Sequence, residues 1–208
     1  MKTRSSRRDL VAALLGIGAA GALGGCVAPA PPPVRKFYLS ALEAAPQGLE
    51  QVDWTLLVER PQTVPALRSN RIAQVIAGNE FDYYANAEWG DVAPDMFQAT
   101  LIRSFETSNA VAAVSSGRER MRPDFILETT LGPFYAIGAA GSAPSVRVGV
   151  DARLIRARGR ELVDATTIRE DRAADGPEIE AIVAAFDGAS HRVIEDLIAW
   201  TVSRRVGA

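Results

Sequence analysis

Apolar and polar positions alternate with period two through most of the middle of this chain and repeat near every fourth residue in two stretches. Residues 36–40 (KFYLS) and 54–60 (WTLLVER, ended by Pro61) read as short strands, and 65–70 is rich in turn formers. Residues 71–77 (RIAQVIA) predict a strand that runs into Gly78-Asn79, a favoured two-residue hairpin turn. Beyond the turn, Phe81, Tyr83, Ala85, Ala87 and Trp89 alternate with Asp82, Tyr84, Asn86 and Glu88, which predicts a half-buried strand with most of Phe81, Tyr83 and Trp89 in the core rather than in an exposed contact role. Residues 110–115 form a small-residue strand. Three long strands follow. Phe125, Leu127, Thr129 and Leu131 mark one face of the first, and Val146, Val148, Val150, Ala152 and Leu154 one face of the second. After the turn Arg158-Gly159-Arg160, the third sets Leu162, Asp164, Thr166 and Ile168 on one side. This is an antiparallel meander with one solvated face.

The two period-four stretches predict helices. Pro94 begins one that runs to about Glu106, with Phe97, Leu101 and Phe105 on its buried stripe and Asp95 at its positive end. The other opens at Gly176-Pro177 with Glu178 and Glu180 in its first turn and Arg204-Arg205 in its last. Its stripe holds Ile179, Ile182, Val183, Phe186, Ala189, Val193, Leu197 and Trp200, and Gly188 is a soft point at which it bends or breaks. The fold class is α+β: a mixed, largely antiparallel sheet with two main amphipathic helices on one face.

The N-terminus follows a different rule. Lys2, Arg4, Arg7 and Arg8 precede a run of small and apolar residues that closes on Leu23-Gly24-Gly25-Cys26. A basic segment, a short apolar segment and small residues before a cut site make an export signal. A cysteine at the cut makes a lipobox, in which the Cys26 thiol is acylated and the mature chain hangs from a membrane. The apolar run, about 15 residues, is too short to span a bilayer comfortably. Ser6-Arg7-Arg8-Asp9-Leu10-Val11 is close to the twin-arginine pattern, so Sec and twin-arginine export both stay open. Four prolines within 27–34 favour a stiff tether of about 25 Å. Val27, where Asp would retain an enterobacterial lipoprotein in the inner membrane, points to the outer membrane. The expected organisation is a signal peptide at 1–25, the lipidated cysteine and tether at 26–35, and one periplasmic domain at 36–208.

Composition narrows the chemistry. Of 23 basic and 25 acidic residues, 4 and 1 lie in the signal, so the mature chain carries a net charge of about −5. That surface does not suit a nucleic-acid backbone. Once Cys26 is acylated no thiol remains, and His191 is the sole imidazole, which argues against a metal centre. Ser190 and His191 are helix neighbours that do not face each other, and no base–nucleophile trio is evident. Gly16-Ile17-Gly18-Ala19-Ala20-Gly21 imitates a dinucleotide fingerprint but lies inside the signal with no strand before it. Glu59, Asp82 and Glu88 show no pairing, and the arginines of 117–122 read as a solvated loop. No enzyme, no cofactor and no metal are expected.

Several stretches together resemble the ABC-type transport auxiliary lipoprotein family. They are Pro61 with Ala66-Leu67 and Arg71-Ile72-Ala73; Phe81, Tyr83-Tyr84 and Glu88-Trp89; Pro94, Met96, Leu101 and Phe105; Pro123-Asp124-Phe125, Leu127 and Phe134; and Ala185-Phe186-Asp187, Val193, Leu197 and Trp200. Order and spacing carry the resemblance, and Gly90-Asp91-Val92 departs from the family's usual stretch. The resemblance implies a fold like the amino-terminal domain of TolB. It implies a non-catalytic subunit of an intermembrane lipid (phospholipid) transport system, beside an ABC permease, an ATPase and an MCE-domain protein that it docks at the outer membrane. The alternative is a structural lipoprotein of another envelope machine, such as a secretion or Tol-like assembly. A subunit of this kind acts through its surface, and the expected contact is the loop after the aromatic strand, with Trp89, Tyr84 and Asp91. The other reading, Trp89 capping the core beneath the first helix, stays open. Lipid identity, transport direction and oligomeric state, monomer or homo-oligomer, are not legible.

Overall fold

The computed structural model describes residues 32–76, 80–118, 121–139 and 141–204. Cys26, most of the tether, the Gly78-Asn79 turn and Arg205 lie outside them. The folded unit begins at Val34. Its strands are β1 (Arg35–Phe37), β2 (Thr55–Val58), β3 (Arg71–Ile76), β4 (Glu80–Trp89), β5 (Ala113–Ser115), β6 (Phe125–Ile137), β7 (Ser145–Arg156) and β8 (Glu161–Ala173). Its helices are α1 (Ala93–Ser108) and α2 (Ile179–Ser203), and a 3-10 turn covers Pro65–Leu67.

β6 organises the sheet. Along one edge it pairs with β7 in antiparallel register over nearly its whole length, and β8 continues the meander on β7. Its other edge is shared. β2 runs parallel to its start, Leu56 opposite Phe125, and β3 runs parallel to its end, Val75 opposite Ile137. β4 then pairs antiparallel with β3, β1 parallel with β4, and β5 parallel with β2. The result is an open mixed sheet in which the long ladders are antiparallel and the short ones parallel.

Bulges decide which face each residue sees in three strands, and in β4 and β8 they correct the alternation read from the sequence. In β6 the pairing steps from Leu131↔Val150 to Phe134↔Val148, so the extra residue falls at Gly132-Pro133. Proline has no amide hydrogen for the ladder and is tolerated at a bulge. The buried set therefore changes from odd positions up to Leu131 to even positions from Phe134. In β4, Arg71 pairs with Glu88 but Ala73 with Tyr83, and Asn86 takes a left-handed φ of 56°. Asparagine is among the few side chains that accept that conformation. The bulge turns Trp89 toward the helices while Phe81 and Tyr83 face the other way, so these aromatics do not share one core face. In β8, Leu154 pairs with Asp164 but Ile155 with Leu162. Leu162 thus leaves the side of Asp164, Thr166 and Ile168 and stands 61% exposed.

Both helices bury their stripes in one core cluster with the sheet: Met96, Phe97, Leu101 and Phe105 from α1, and Ile182, Phe186, Val193 and Leu197 from α2. α1 also buries Thr100, Ser104 and Ser108, whose hydroxyls donate to the carbonyls of Met96, Thr100 and Phe105. Asn109 ends α1 in the left-handed region, at 47°. α2 is continuous through Gly188. There the missing side chain leaves room for the Arg172 guanidinium, which a Cβ would meet at 2.7 Å. The helix ends at Ser203, and Arg204 lies just beyond the last turn, its guanidinium 3.0 Å from Asp164 and over the Trp200 ring.

Candidate functional site

The expected contact loop starts where β4 ends. Trp89 is fully buried, its ring 5.5 Å from Phe134 and 5.2 Å from Phe186. The contact role of Trp89 is corrected: the bulge at Asn86 sets its side chain inside the core, where no partner reaches it. Its Nε1 finds no hydrogen-bond partner there. Tyr84 is half-buried against the same core, and that burial pushes its phenol above the usual range. Asp91 is exposed, and its carboxylate accepts the amide of Val92 at 2.7 Å.

The aromatic presented beside this loop is Tyr38, 64% exposed. It follows β1, which lies along the end of β4, and Gly90 donates its amide to the Phe37 carbonyl at 2.7 Å. A Cβ on Gly90 would fall inside the Tyr38 ring, so the glycine is what lets the ring lie flat on the loop. Tyr38, Asp91, Met96 and Arg103 border a shallow hollow of about 210 Å³. Sequence reasoning missed Tyr38 because 52 residues separate it from Gly90, and nothing local announces the contact.

His191 has neighbours that the sequence did not reveal. Ser40 donates its amide and its hydroxyl to the two carboxylate oxygens of Asp187, each at 2.7 Å. His191 Nε2 lies 2.9 Å from Ser40 Oγ and 3.0 Å from the Ser40 carbonyl. A serine nucleophile leaves its hydroxyl to the imidazole, and the carboxylate orients the far ring nitrogen. Here the carboxylate holds the serine itself and approaches the same ring nitrogen, at 3.9 Å. The trio is a clasp joining the segment after β1 to α2, not a relay. A second tie, Arg35 to Glu180 at 2.7 Å, joins β1 to the start of α2.

The face of the sheet turned away from the helices carries two further features. Between Arg60, Gln62, Glu128, Asp151 and Arg153 lies a polar groove of about 670 Å³ with charges of both signs. Nearer the β3–β4 hairpin, Phe81 stands edge-on to Tyr83 and Tyr135, and the Arg71 guanidinium stacks 3.9 Å above Tyr83. Among the described residues no group of acidic, histidine or cysteine side chains could hold a metal ion, and no helix is long and apolar enough to cross a membrane.

A family model described as the ABC-type transport auxiliary lipoprotein component matches residues 37–198. The crystal structure of protein XCC0632 from Xanthomonas campestris is similar, with a TM-score of 0.76 and 26% identity over 82% of this chain and 95% of that one. A second crystal structure, of a protein named only as uncharacterized, has a TM-score of 0.60 at 13% identity, covering 78% of this chain and 97% of that one, and speaks to the fold alone. The uncharacterized protein bll6063 of Bradyrhizobium diazoefficiens is 29% identical over 148 residues, 71% of this chain. The chain spans 39% of the length of that relative. These neighbours support the open-sheet α+β architecture and do not bear on the comparison with TolB.

Proposed function

The chain belongs to the ABC-type transport auxiliary lipoprotein component family, and from that premise we propose that it is a non-catalytic, lipid-anchored subunit of an MCE-type lipid transport system. In this reading Cys26 is acylated and holds the domain on the periplasmic side of the outer membrane. The partners are an MCE-domain protein, which it docks, and the ABC permease and ATPase of the same system. The observation that carries the reading is the family match across nearly the whole folded unit, joined to a single cysteine at the end of an export signal. The clasp geometry at Ser40, Asp187 and His191 supports a role without catalysis, because it lacks the oriented base that a serine nucleophile needs. Asp91 and Tyr84 stay as contact residues, and Tyr38 takes the place of Trp89 beside them.

The test is capture of the acylated chain from crosslinked membranes. Recovery of an MCE-domain protein with a permease and an ATPase supports the reading. Recovery of secretion or Tol-type components instead would assign the chain to another envelope machine.

A further inference from the structure

We propose that the hairpin end of the sheet's solvent face is a membrane-contact surface, seated on the anionic headgroups of the bilayer that holds the anchor. The inference rests on acylation of Cys26 and goes beyond it.

Phe81 is 38% exposed on the face turned away from the helices, on the other side of the β4 bulge from Trp89. Its ring centre lies 5.5 Å from Tyr83 and 6.4 Å from Tyr135, so three aromatics form one outward cluster. Arginines surround it. Arg71 stacks on Tyr83, Arg147 pairs with Asp171 at 2.6 Å beside Tyr135, and Arg169 borders the same hollow. Aromatic rings favour the depth where acyl chains meet headgroups, and a guanidinium matches phosphate oxygens in bidentate fashion. Arg147 and Arg169 share a hollow beside Tyr135 with Glu170 and Asp171, so a headgroup phosphate would compete with the Asp171 carboxylate for Arg147.

The direction of the chain selects the bilayer as occupant. β1 is parallel to β4, with Arg35 opposite Ala87 and Phe37 opposite Trp89. β4 starts at the hairpin, so the chain enters β1 from the hairpin side. The end of β6 at Ile137, the start of β7 at Ser145 and the end of β8 at Ala173 gather at that same end. β1 joins β4 seven residues beyond the hairpin, and residues 26–34 reach about 30 Å at most when extended, so a tether that continues the line of β1 is long enough to bring an acylated Cys26 to this end of the sheet.

The full-length acylated protein tests this directly. With Cys26 blocked by its acyl groups, Phe81→Cys gives a single thiol for an environment-sensitive fluorophore, and Arg158→Cys, in the turn at the opposite end of the sheet, gives the control. In vesicles containing phosphatidylglycerol, the probe at 81 is expected to brighten and shift to the blue while the probe at 158 keeps its aqueous spectrum. Pure phosphatidylcholine, or Arg147→Gln with Arg169→Gln, should shrink the shift. An aqueous spectrum at 81 in a protein shown by mass to be acylated overturns the contact and leaves the anchor standing. Equal shifts at both positions also overturn it. A shift that appears only when a protein partner is added assigns the patch to that protein. A mass showing no acyl groups removes the anchor and the contact together.

Discussion

The ring of Tyr38 lies in the space where Gly90 carries no side chain, so an exposed aromatic on one segment is held in place by a glycine on another. Gly90→Ala would push the far end of the Tyr38 side chain aside. That end is flexible and solvent-facing, so the melting temperature should change little, by less than about 1 kcal/mol in stability. The Tyr38 ring signals in an NMR spectrum should move. A large loss of stability would mean that Tyr38 packs as part of the core.

Two other glycines separate a rigid obstacle from a soft one. A Cβ on Gly149 would meet Pro133 Cγ at 2.9 Å and Arg169 Cγ at 3.0 Å, and the proline ring is fixed by the β6 bulge. Gly149→Ala should cost about 1–3 kcal/mol, as overpacking does. On Gly188 the three atoms nearest the Cβ all belong to the guanidinium of Arg172, an exposed chain end that can swing away. Gly188→Ala should then be neutral or stabilising by up to about 1 kcal/mol, the gain of alanine over glycine inside a helix. Chemical denaturation of the two variants gives the comparison.

Core truncation should divide α2 by face. Phe186→Ala and Leu197→Ala remove fully buried side chains and should each cost about 3–5 kcal/mol. His191→Gln keeps a polar group near Ser40 and should cost no more than about 1 kcal/mol, the net worth of one hydrogen bond. Thermal melts in the reverse order would contradict the helix orientation.

Acid should weaken the tie between the segment after β2 and α1. A bidentate hydrogen bond from Arg60 holds the Asp95 carboxyl below the usual aspartate range. A carboxyl depressed in the folded state contributes stability at neutral pH and loses it as the pH falls through its folded value. The loss therefore begins near the ordinary aspartate value of about 3.9 and completes below it. The pair is partly exposed and screened, so the contribution stays below about 1 kcal/mol. Asp95→Asn should be slightly less stable at neutral pH and show a shallower decline over that acid range. Parallel acid slopes for the two proteins would remove Asp95 from the account.

The anchor has a direct chemical test. Acylation needs the Cys26 thiol, so Cys26→Ser should yield an unprocessed or soluble protein that takes up no labelled fatty acid. Absence of label from the unmutated chain would refute the lipoprotein reading.

Period-two alternation identified β7 face by face, because that strand is regular through most of its length and one side is covered by helix. It failed where a bulge changes phase. Asn86 was visible as a residue, but whether it bulges depends on the partner strand, which alternation does not encode. Helix spacing placed both buried stripes, since each repeats over several turns, and it misjudged Gly188, whose role is set by Arg172 on another element. Of the proposed contact residues, Trp89 could not be placed from the sequence, because its burial depends on Phe134 and Phe186, 45 and 97 residues further along the chain.

The clasp between the first strand and the last helix also fixes how the domain bears load. In the proposed lipid-anchored state, a pull on the chain before β1 along the strand axis strains its ladder to β4 in shear, with all its bonds loaded together rather than peeled one at a time. Arg35 and Ser40 pass part of that force to Glu180 and Asp187, and so to the longest helix. The element nearest the anchor is short, three residues in its ladder, yet it is braced against the C-terminal end of the fold. Tension from a moving partner would therefore reach the whole domain as one body before it unravelled the end.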